Sequence, residues 1–313
     1  MPRRGRSTPQ GEHLPVMAAE VLAALDPRPG EVAVDCTFGR GGHAAEILRR
    51  ILPDGWLIAF DLDPANLAPA RERLAAIGPN FTLHHGNFAA IASILAAENL
   101  QADIILADLG MSSMQVDEPG RGFSFAREGP LDMRMDPTRG RSASELLATL
   151  SAKELSAAFE ELGDEPQADE IAEAIVAARA KSPPRTTTEL ADLIQRAAPV
   201  RIVHGPGQGT PRQQRMRPVA RVFQALRILV NRELANLDAL LRALPGCLKP
   251  GGRAAIISFH SGEDRRVKQA FRAGQRLGIY SNVTEEPIRA SEQERFSNPR
   301  SRSAKLRWAV RGS

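Results

Sequence analysis

Along this chain, short runs of consecutive apolar residues alternate with stretches whose apolar positions recur every three or four residues. The continuous runs fall at 31–38, 56–60, 81–84, 102–107 and 253–259. Helical spacing fills 14–26, 44–52, 65–76, 89–98 and 219–244, and again 260–273. Near-continuous apolar strands separated by amphipathic helices predict a parallel sheet covered on both faces. Two closing segments, 280–285 and 304–310, alternate in the manner of paired strands. The pattern therefore predicts an α/β fold built on a Rossmann-like, mostly parallel sheet.

The rhythm breaks after Gly110. Residues 111–141 carry Met, Gly, Pro and charge without periodicity, which predicts a long irregular loop. Helices are expected over 144–149, 152–162, 168–180 and 188–197, with Ser151 and Glu154 at the spacing of a capping box. Gly205-Pro206-Gly207-Gln208-Gly209-Thr210-Pro211 reads as a flexible linker. These features define a loop plus helical insertion over 111–218, on the substrate side, within a sheet domain made of 13–110 and 219–313. One long helix over 219–244, with Phe223, Leu226, Val230, Leu234, Leu237 and Leu241 on one face, is expected to stop before Pro245. Residues 1–12 read as a disordered basic arm.

Charge sharpens this picture more than bulk composition does. The 313 residues are 42% hydrophobic and 25% charged, with a net charge of only +4, as in an ordinary globular protein. Arginines nevertheless cluster in 1–6, 201–227, 265–276 and 289–311, which suggests a polyanionic partner. Two cysteines and six unspaced histidines provide neither a disulfide framework nor a metal site. No apolar run is long enough to span a bilayer, and the start lacks the apolar core of a secretory signal, so a cytoplasmic protein without a membrane partner is expected.

Candidate chemistry gathers at the strand ends. The stretch 32–43 runs from a strand into Gly39-Arg40-Gly41-Gly42-His43 and then a helix, where backbone N–H groups can meet a nucleotide-like ligand. A tight turn with no ligand is the plainer reading of the same glycines. Asp35, Asp61 and Asp108 end successive predicted strands, where ligands of such sheets bind. Asp61 can accept hydrogen bonds from both ribose hydroxyls, and Phe88 can cover an adenine face, or can serve simply as core. The absence of a clean G-x-G-x-x-G, and a sheet that closes with a hairpin, favour S-adenosylmethionine over a dinucleotide.

Several segments together are more specific. His13-Leu14-Pro15-Val16, Asp35-Cys36-Thr37-Phe38-Gly39-Arg40-Gly41-Gly42-His43 and Asp108-Leu109-Gly110-Met111-Ser112-Ser113-Met114-Gln115 come first. Arg121-Gly122-Phe123-Ser124-Phe125, Gly129-Pro130-Leu131-Asp132-Met133-Arg134-Met135-Asp136 and Phe223-Gln224-Ala225-Leu226-Arg227-Ile228 follow. Ser258-Phe259-His260-Ser261, Glu263-Asp264-Arg265 and Asn298-Pro299-Arg300-Ser301-Arg302-Ser303 close the series. In these segments the chain resembles the bacterial small-subunit ribosomal RNA cytosine-N4 methyltransferase family, the MraW type, over nearly its whole length. The resemblance implies a class I S-adenosylmethionine-dependent methyltransferase with a helical insertion. It would methylate the exocyclic amine of a cytosine in the decoding region of 16S ribosomal RNA, with the small ribosomal subunit as partner. It places the cofactor against Gly41, Gly42, His43, Asp61, Phe88, Asp108 and Gln115. The chain departs from the family pattern at Cys36, usually Gly, at Gly262, usually Leu, and in the 205–210 linker.

A cytosine amine is a poor nucleophile because its lone pair is delocalised into the ring. An acceptor on the amine hydrogen favours pyramidal nitrogen and aligns the lone pair with the methyl donor. Asp108 is the expected catalytic residue for this positioning, contact with the methionine amino group being its other reading. The target must be single-stranded or flipped. Phe123 and Phe125 are candidates to flank it, or to anchor their loop. Arg121, Arg134, Arg300, Arg302 and Lys305 are candidates for RNA phosphate contact. His260 is a candidate for a hydrogen bond to RNA, or a helix cap. Two alternatives stand beside this reading, a non-catalytic ribosome-assembly RNA-binding factor and an amino-methyltransferase of another nucleic acid. The oligomeric state is open, a homodimer included.

Overall fold

The computed structural model describes residues 15–111, 113–205 and 207–313, without the side chains of Ser113 and Met114. The arm expected over 1–12 lies outside the described residues, as do His13, Leu14, Ser112 and Pro206. In chain order the structure begins α1 (Ala18–Leu25), β1 (Val32–Asp35), α2 (Gly42–Ile51), β2 (Trp56–Asp61), α3 (Leu67–Ala75), β3 (Phe81–His85), α4 (Ile91–Ala97) and β4 (Ala102–Asp108). Then follow α5 (Ser113–Asp117), α6 (Ala143–Thr149), α7 (Ala152–Gly163), α8 (Ala168–Arg179), α9 (Thr187–Ala197), α10 (Pro211–Arg215), α11 (Arg217–Asn231) and α12 (Glu233–Cys247). The chain closes with β5 (Leu248–Ser258), α13 (Ser261–Arg276), β6 (Tyr280–Val283), α14 (Glu292–Ser297) and β7 (Lys305–Arg311). Two compact units result, Met111–Asn236 and the remainder on either side of it.

The first unit is built on a sheet of order β3-β2-β1-β4-β5-β7-β6, with β1 to β5 parallel and β7 antiparallel to both β5 and β6. The expected mostly parallel sheet is observed. Its strands read as continuous apolar runs because both faces are covered: Val21, Leu48 and Leu74 of α1, α2 and α3 pack on one side. Ile91, Leu240, Val267 and Phe271 of α4, α12 and α13 pack on the other. From β1 the chain moves outward to β2 and β3, then returns to β4 on the opposite side of β1. Strand order therefore reverses between β1 and β4, where ligands of open α/β sheets bind.

The second unit has its own core, with Phe159, Ile171, Leu190, Ile194, Val222 and Leu226 buried together. Its helices start where short polar side chains satisfy the first free N–H groups. Ser142–Glu145, Ser151–Glu154, Thr186–Glu189 and Thr210–Gln213 each form a reciprocal capping box. Each such cap stabilises its helix by about 1 kcal/mol. The buried Gln214 amide ties Val203 to Gly209, donating to Val203 O at 2.7 Å and Gly209 O at 3.3 Å and accepting from Val203 N at 2.9 Å.

The single helix expected over 219–244 is two helices. Arg232 adopts a left-handed backbone with φ 52° and separates α11 from α12. Asn231 binds the 111–141 loop here, accepting from Met135 N at 2.7 Å and donating to Met133 O at 2.8 Å. A one-residue break leaves both halves amphipathic, so the apolar spacing ran through it unmarked. As a result α11, expected with the sheet, packs within the second unit, against α7, α9 and α6. Pro245, expected to end the helix, lies inside its last turn, and α12 continues to Cys247.

Candidate active site

At the reversal of strand order, β1 and β4 deliver Asp35 and Asp108 side by side, and β2 adds Asp61. The turn after β1 makes that arrangement possible. Gly41 has φ 79°, a left-handed conformation that a side chain disfavours, and it caps α2. The turn carries Thr37, whose Oγ1 accepts from Asp108 N at 2.7 Å and so locks the β4 end to the β1 turn. Gly110 continues from β4, and a Cβ there would lie 2.7 Å from the Phe259 ring at the end of β5. Only glycine lets these two strand ends approach so closely.

Asp61 is engaged by the protein through both carboxylate oxygens. Its Oδ2 accepts from Gly39 N at 2.8 Å, and its Oδ1 accepts from Asp63 N at 2.8 Å and Asn66 Nδ2 at 3.1 Å. Burial raises its carboxyl above the ordinary value against those three donors. The carboxylate is thereby fixed in orientation, and three donors leave about one lone pair for a ligand.

Asp35 and Asp108 are provided for differently. Asp35 is 1% exposed; its Oδ1 accepts from Thr37 N at 3.0 Å, while its Oδ2 has no hydrogen-bond partner. Burial pushes this carboxyl up to about 7, with the negative charges of Asp108 and Asp61 adding to the rise. Asp108 Oδ1 is likewise buried and unpartnered. Burial raises Asp108 to about 7, opposed by a hydrogen bond from the Gly110 backbone. The side chain keeps 22% of its surface exposed, and that solvent access tempers the rise.

His43, at the start of α2, completes the cluster. Its ring is buried, and that burial lowers it to about 4, so it is neutral at pH 7 despite a hydrogen bond with the Val16 backbone. Its Nε2 lies 3.8 Å from Asp108 Oδ2, beyond hydrogen-bond reach, and has no partner. Three buried polar atoms, Asp35 Oδ2, His43 Nε2 and Asp108 Oδ1, are thus unsatisfied at the ends of β1, β4 and the turn between them. Atoms left in that state cost about 1–3 kcal/mol each unless a ligand completes them. The carboxylates suit a ligand with positive charge and hydroxyl donors, and they repel one that brings phosphates here.

Other residues singled out in the sequence fall into place around this cluster or away from it. Phe88 opens a short 3-10 turn after β3 and is buried in the core under α4. His260 precedes α13 at the end of β5; its Nε2 stands 3.2 Å from Glu263 Oε1 without forming a hydrogen bond. The buried Glu263 accepts from Phe259 N at 2.8 Å and bears on Asp108, raising it. Arg300 acts on the same carboxyl in the opposite sense. Lys305 is ion-paired with Asp264 at 3.1 Å, and Arg302 donates to Arg295 O at 3.0 Å. Both candidates for phosphate contact thus make contacts within the fold.

In the second unit, Gln115 is buried on α5. Arg121 donates to the Arg134 and Met135 carbonyls at 3.0 and 2.8 Å. Arg134 clasps Asp132 through Nε and Nη2 at 2.8 and 2.7 Å. These guanidinium groups, candidates for phosphate contact, tie the loop to itself. Phe123 is buried in the unit's core, in keeping with the loop anchor that was one of its two expected roles. Phe125 stays accessible: it packs edge-on against Phe223 with ring centroids 5.1 Å apart. It also lines a cavity of about 330 Å³ with Thr188, Gln195, Arg212 and Arg215. Sequence reasoning did not name Arg212, Arg215, Thr37 or the buried Asn66 and Glu263 individually. Thr37 and Glu263 lay within the quoted segments and the two arginines within the 201–227 cluster, while Asn66 carried no local signal.

The profile of the MraW methylase family matches residues 10–311. A protein of Halorhodospira halophila named ribosomal RNA small subunit methyltransferase H is 48% identical, the match covering 96% of this chain and 94% of the relative. Its namesake in Citrifermentans bemidjiense is 45% identical over 94% of this chain and 97% of the relative. A ribosomal RNA small subunit methyltransferase H 1 of Lachnoclostridium phytofermentans is 44% identical over 97% of this chain and 83% of the relative.

Proposed function

Because this chain belongs to the MraW methylase family, we propose that it methylates the exocyclic N4 amine of a cytosine in the decoding region of small-subunit ribosomal RNA. S-adenosylmethionine is the methyl donor, supplying when bound an electrophilic methyl group on a sulfonium centre. The observation that carries this reading is the cluster of Asp35, His43 and Asp108, whose unsatisfied buried atoms gather at the reversal of strand order beside the anchored Asp61. Its negative charge complements a sulfonium and an ammonium group, and it would repel a pyrophosphate.

Each residue then has a task. Asp61, held by Gly39, Asp63 and Asn66, orients its remaining lone pair toward the ribose hydroxyls. The backbone of Gly41 and Gly42 lets the ligand approach, and the neutral His43 offers a nitrogen within the cluster. Phe88 stands beside this wall at the end of β3. The assignment of Gln115 to the cofactor rests on the resemblance. Asp108 accepts a hydrogen of the cytosine amine, which draws the nitrogen lone pair out of the ring and aligns it. The proton released from that nitrogen leaves by way of the same carboxylate, whose value near 7 lets it hold one in passing. Alignment and preorganised charge provide most of the acceleration.

The cavity lined by Phe125, Arg212 and Arg215 is the substrate side of the second unit in this reading, an aromatic face with cations for a nucleotide of the RNA. Cytoplasmic small subunits are the expected partner. The decisive test is incubation with labelled S-adenosylmethionine and small subunits from cells lacking the modification, beside naked RNA. One N4-methylcytosine in the decoding region is expected. Cofactor binding without label in either RNA overturns the reading.

A further inference from the structure

The basic cluster at 265–276 has no place in the site described above, and its geometry gives it one. Helix α13 begins one residue beyond His260, at the carboxyl end of β5, whose Ile257 pairs with Asp108. Its inner face, Glu263, Val267, Phe271 and Gly274, is buried against the sheet. Its acidic residues are consumed there. Glu263 is buried beneath His260, and Asp264 accepts from Arg307 at 2.7 Å and Lys305 at 3.1 Å.

The outer face is left almost purely cationic. Arg265, Lys268, Arg272 and Arg276 follow one another along it and line an open groove of about 610 Å³ with Gln269, Gln275 and Glu285. Arg272 donates to Glu285 O at 3.3 Å and stands 4.0 Å from the exposed Glu286. No ion pair engages Arg265, Lys268 or Arg276 among the described residues. This arrangement contrasts with Arg266 on the same helix, which reaches Asp238 at 3.3 Å. From Arg265 to Arg276 the helix rises about 16 Å, room for several successive phosphates of one strand.

We propose that the outer face of α13 is a docking surface for the phosphodiester backbone of the RNA that flanks the target nucleotide. The inference rests on the reading of the protein as an RNA methyltransferase and adds the path of the RNA away from the methyl-transfer site. Guanidinium groups in a row, with glutamine amides between them and no base-reading pocket, suit backbone contact without sequence discrimination. Charge complementarity argues for this occupant: both acids of the helix are engaged on its inner side, and the groove presents four cations against one acid. Glu285 sits at the rim of the groove and limits the anion to the helix side.

The test is the triple variant Arg265→Gln/Lys268→Gln/Arg276→Gln, with binding to a transcript of the decoding region followed from 50 to 300 mM KCl. Loss of three phosphate contacts flattens the slope of log affinity against log salt by about 2–3 and weakens binding roughly 10- to 100-fold near physiological salt. S-adenosylmethionine affinity and thermal midpoint are expected to match the parent, and Arg265→Lys/Arg276→Lys to keep the parental slope. An unchanged slope and affinity in the folded triple variant overturns the proposal. So does loss of binding to phosphatidylglycerol vesicles with RNA binding intact. Binding is read without methyl transfer, so a parent that binds this RNA but never methylates it refutes the activity and leaves the docking surface standing.

Discussion

Asp61 and Asp108 both end parallel strands of one sheet, yet the protein treats the two carboxylates in opposite ways. Three protein donors converge on Asp61, one of them from the glycine turn, so its geometry is set before any ligand arrives. Asp108 is tied through its backbone to Thr37, while its buried Oδ1 is left without a partner. A carboxylate with most of its acceptor sites filled by the protein is a fixed acceptor. An unsaturated one is a reactive group kept available, at a cost in stability that only a bound ligand recovers. In the proposed reading, binding falls to Asp61 and chemistry to Asp108, at strand ends on either side of β1 that differ in the number of donors each receives.

The largest effect is expected where the unsatisfied group is removed. Asp108→Asn should lower turnover by about 100-fold or more, the scale of one lost transition-state contact, with S-adenosylmethionine affinity within a few-fold of the parent. Near-parental turnover, measured with label on small subunits, would erase the distinction drawn above. Asp61→Ala should do the reverse, weakening cofactor binding about 10- to 100-fold in calorimetry. It should also lower the melting temperature, because three donors lose their acceptor.

A subtler contrast is one of pH. Asp35 and Asp108 have folded values raised to about 7, so without cofactor the native state binds their protons more tightly than the unfolded chain. Stability should therefore increase as pH falls from about 7 toward the ordinary carboxyl range, and decline as pH rises through that window. His43, lowered to about 4, works against this below its ordinary value of 6.5, one group against two. Urea midpoints across pH 4.5–8 test the sign, and Asp35→Asn should flatten the curve. Turnover should fall on the acid side, where a protonated Asp108 no longer accepts the amine hydrogen. The smallest effect is expected at Gly262, where a Cβ would stand 3.1 Å from the His260 ring. Gly262→Ala should shift that imidazole and change the KM for RNA by about 2–3-fold, with turnover at saturation retained.

The sheet was legible because fully covered strands must be apolar throughout, and Asp61 because it ends one of them. The state of each charged group was not. Arg121 and Arg134 looked like phosphate ligands and instead close their own loop. Lys305 and Arg302 looked available, and Asp264 and the Arg295 carbonyl hold them. Phe123 and Phe125 were indistinguishable as two aromatics on one loop, until one was buried in the core and the other left lining a cavity. A sequence shows which charges are near one another along the chain, and partners such as Asp264 and Arg307 lie far apart along it.

By itself the sequence determined the alternation of strands and helices, the inserted unit, the family, and the three carboxylates at strand ends. All of these follow from local periodicity or from contiguous segments. Only the tertiary structure decided the break at Arg232 that gives α11 to the second unit, which acid has most of its acceptor sites filled and which is left open, and which cations are free. Those outcomes depend on pairing across distances in the chain that no local pattern encodes. Burial then converts the pairing into chemistry, because a carboxylate taken from water changes its proton affinity according to the donors that meet it.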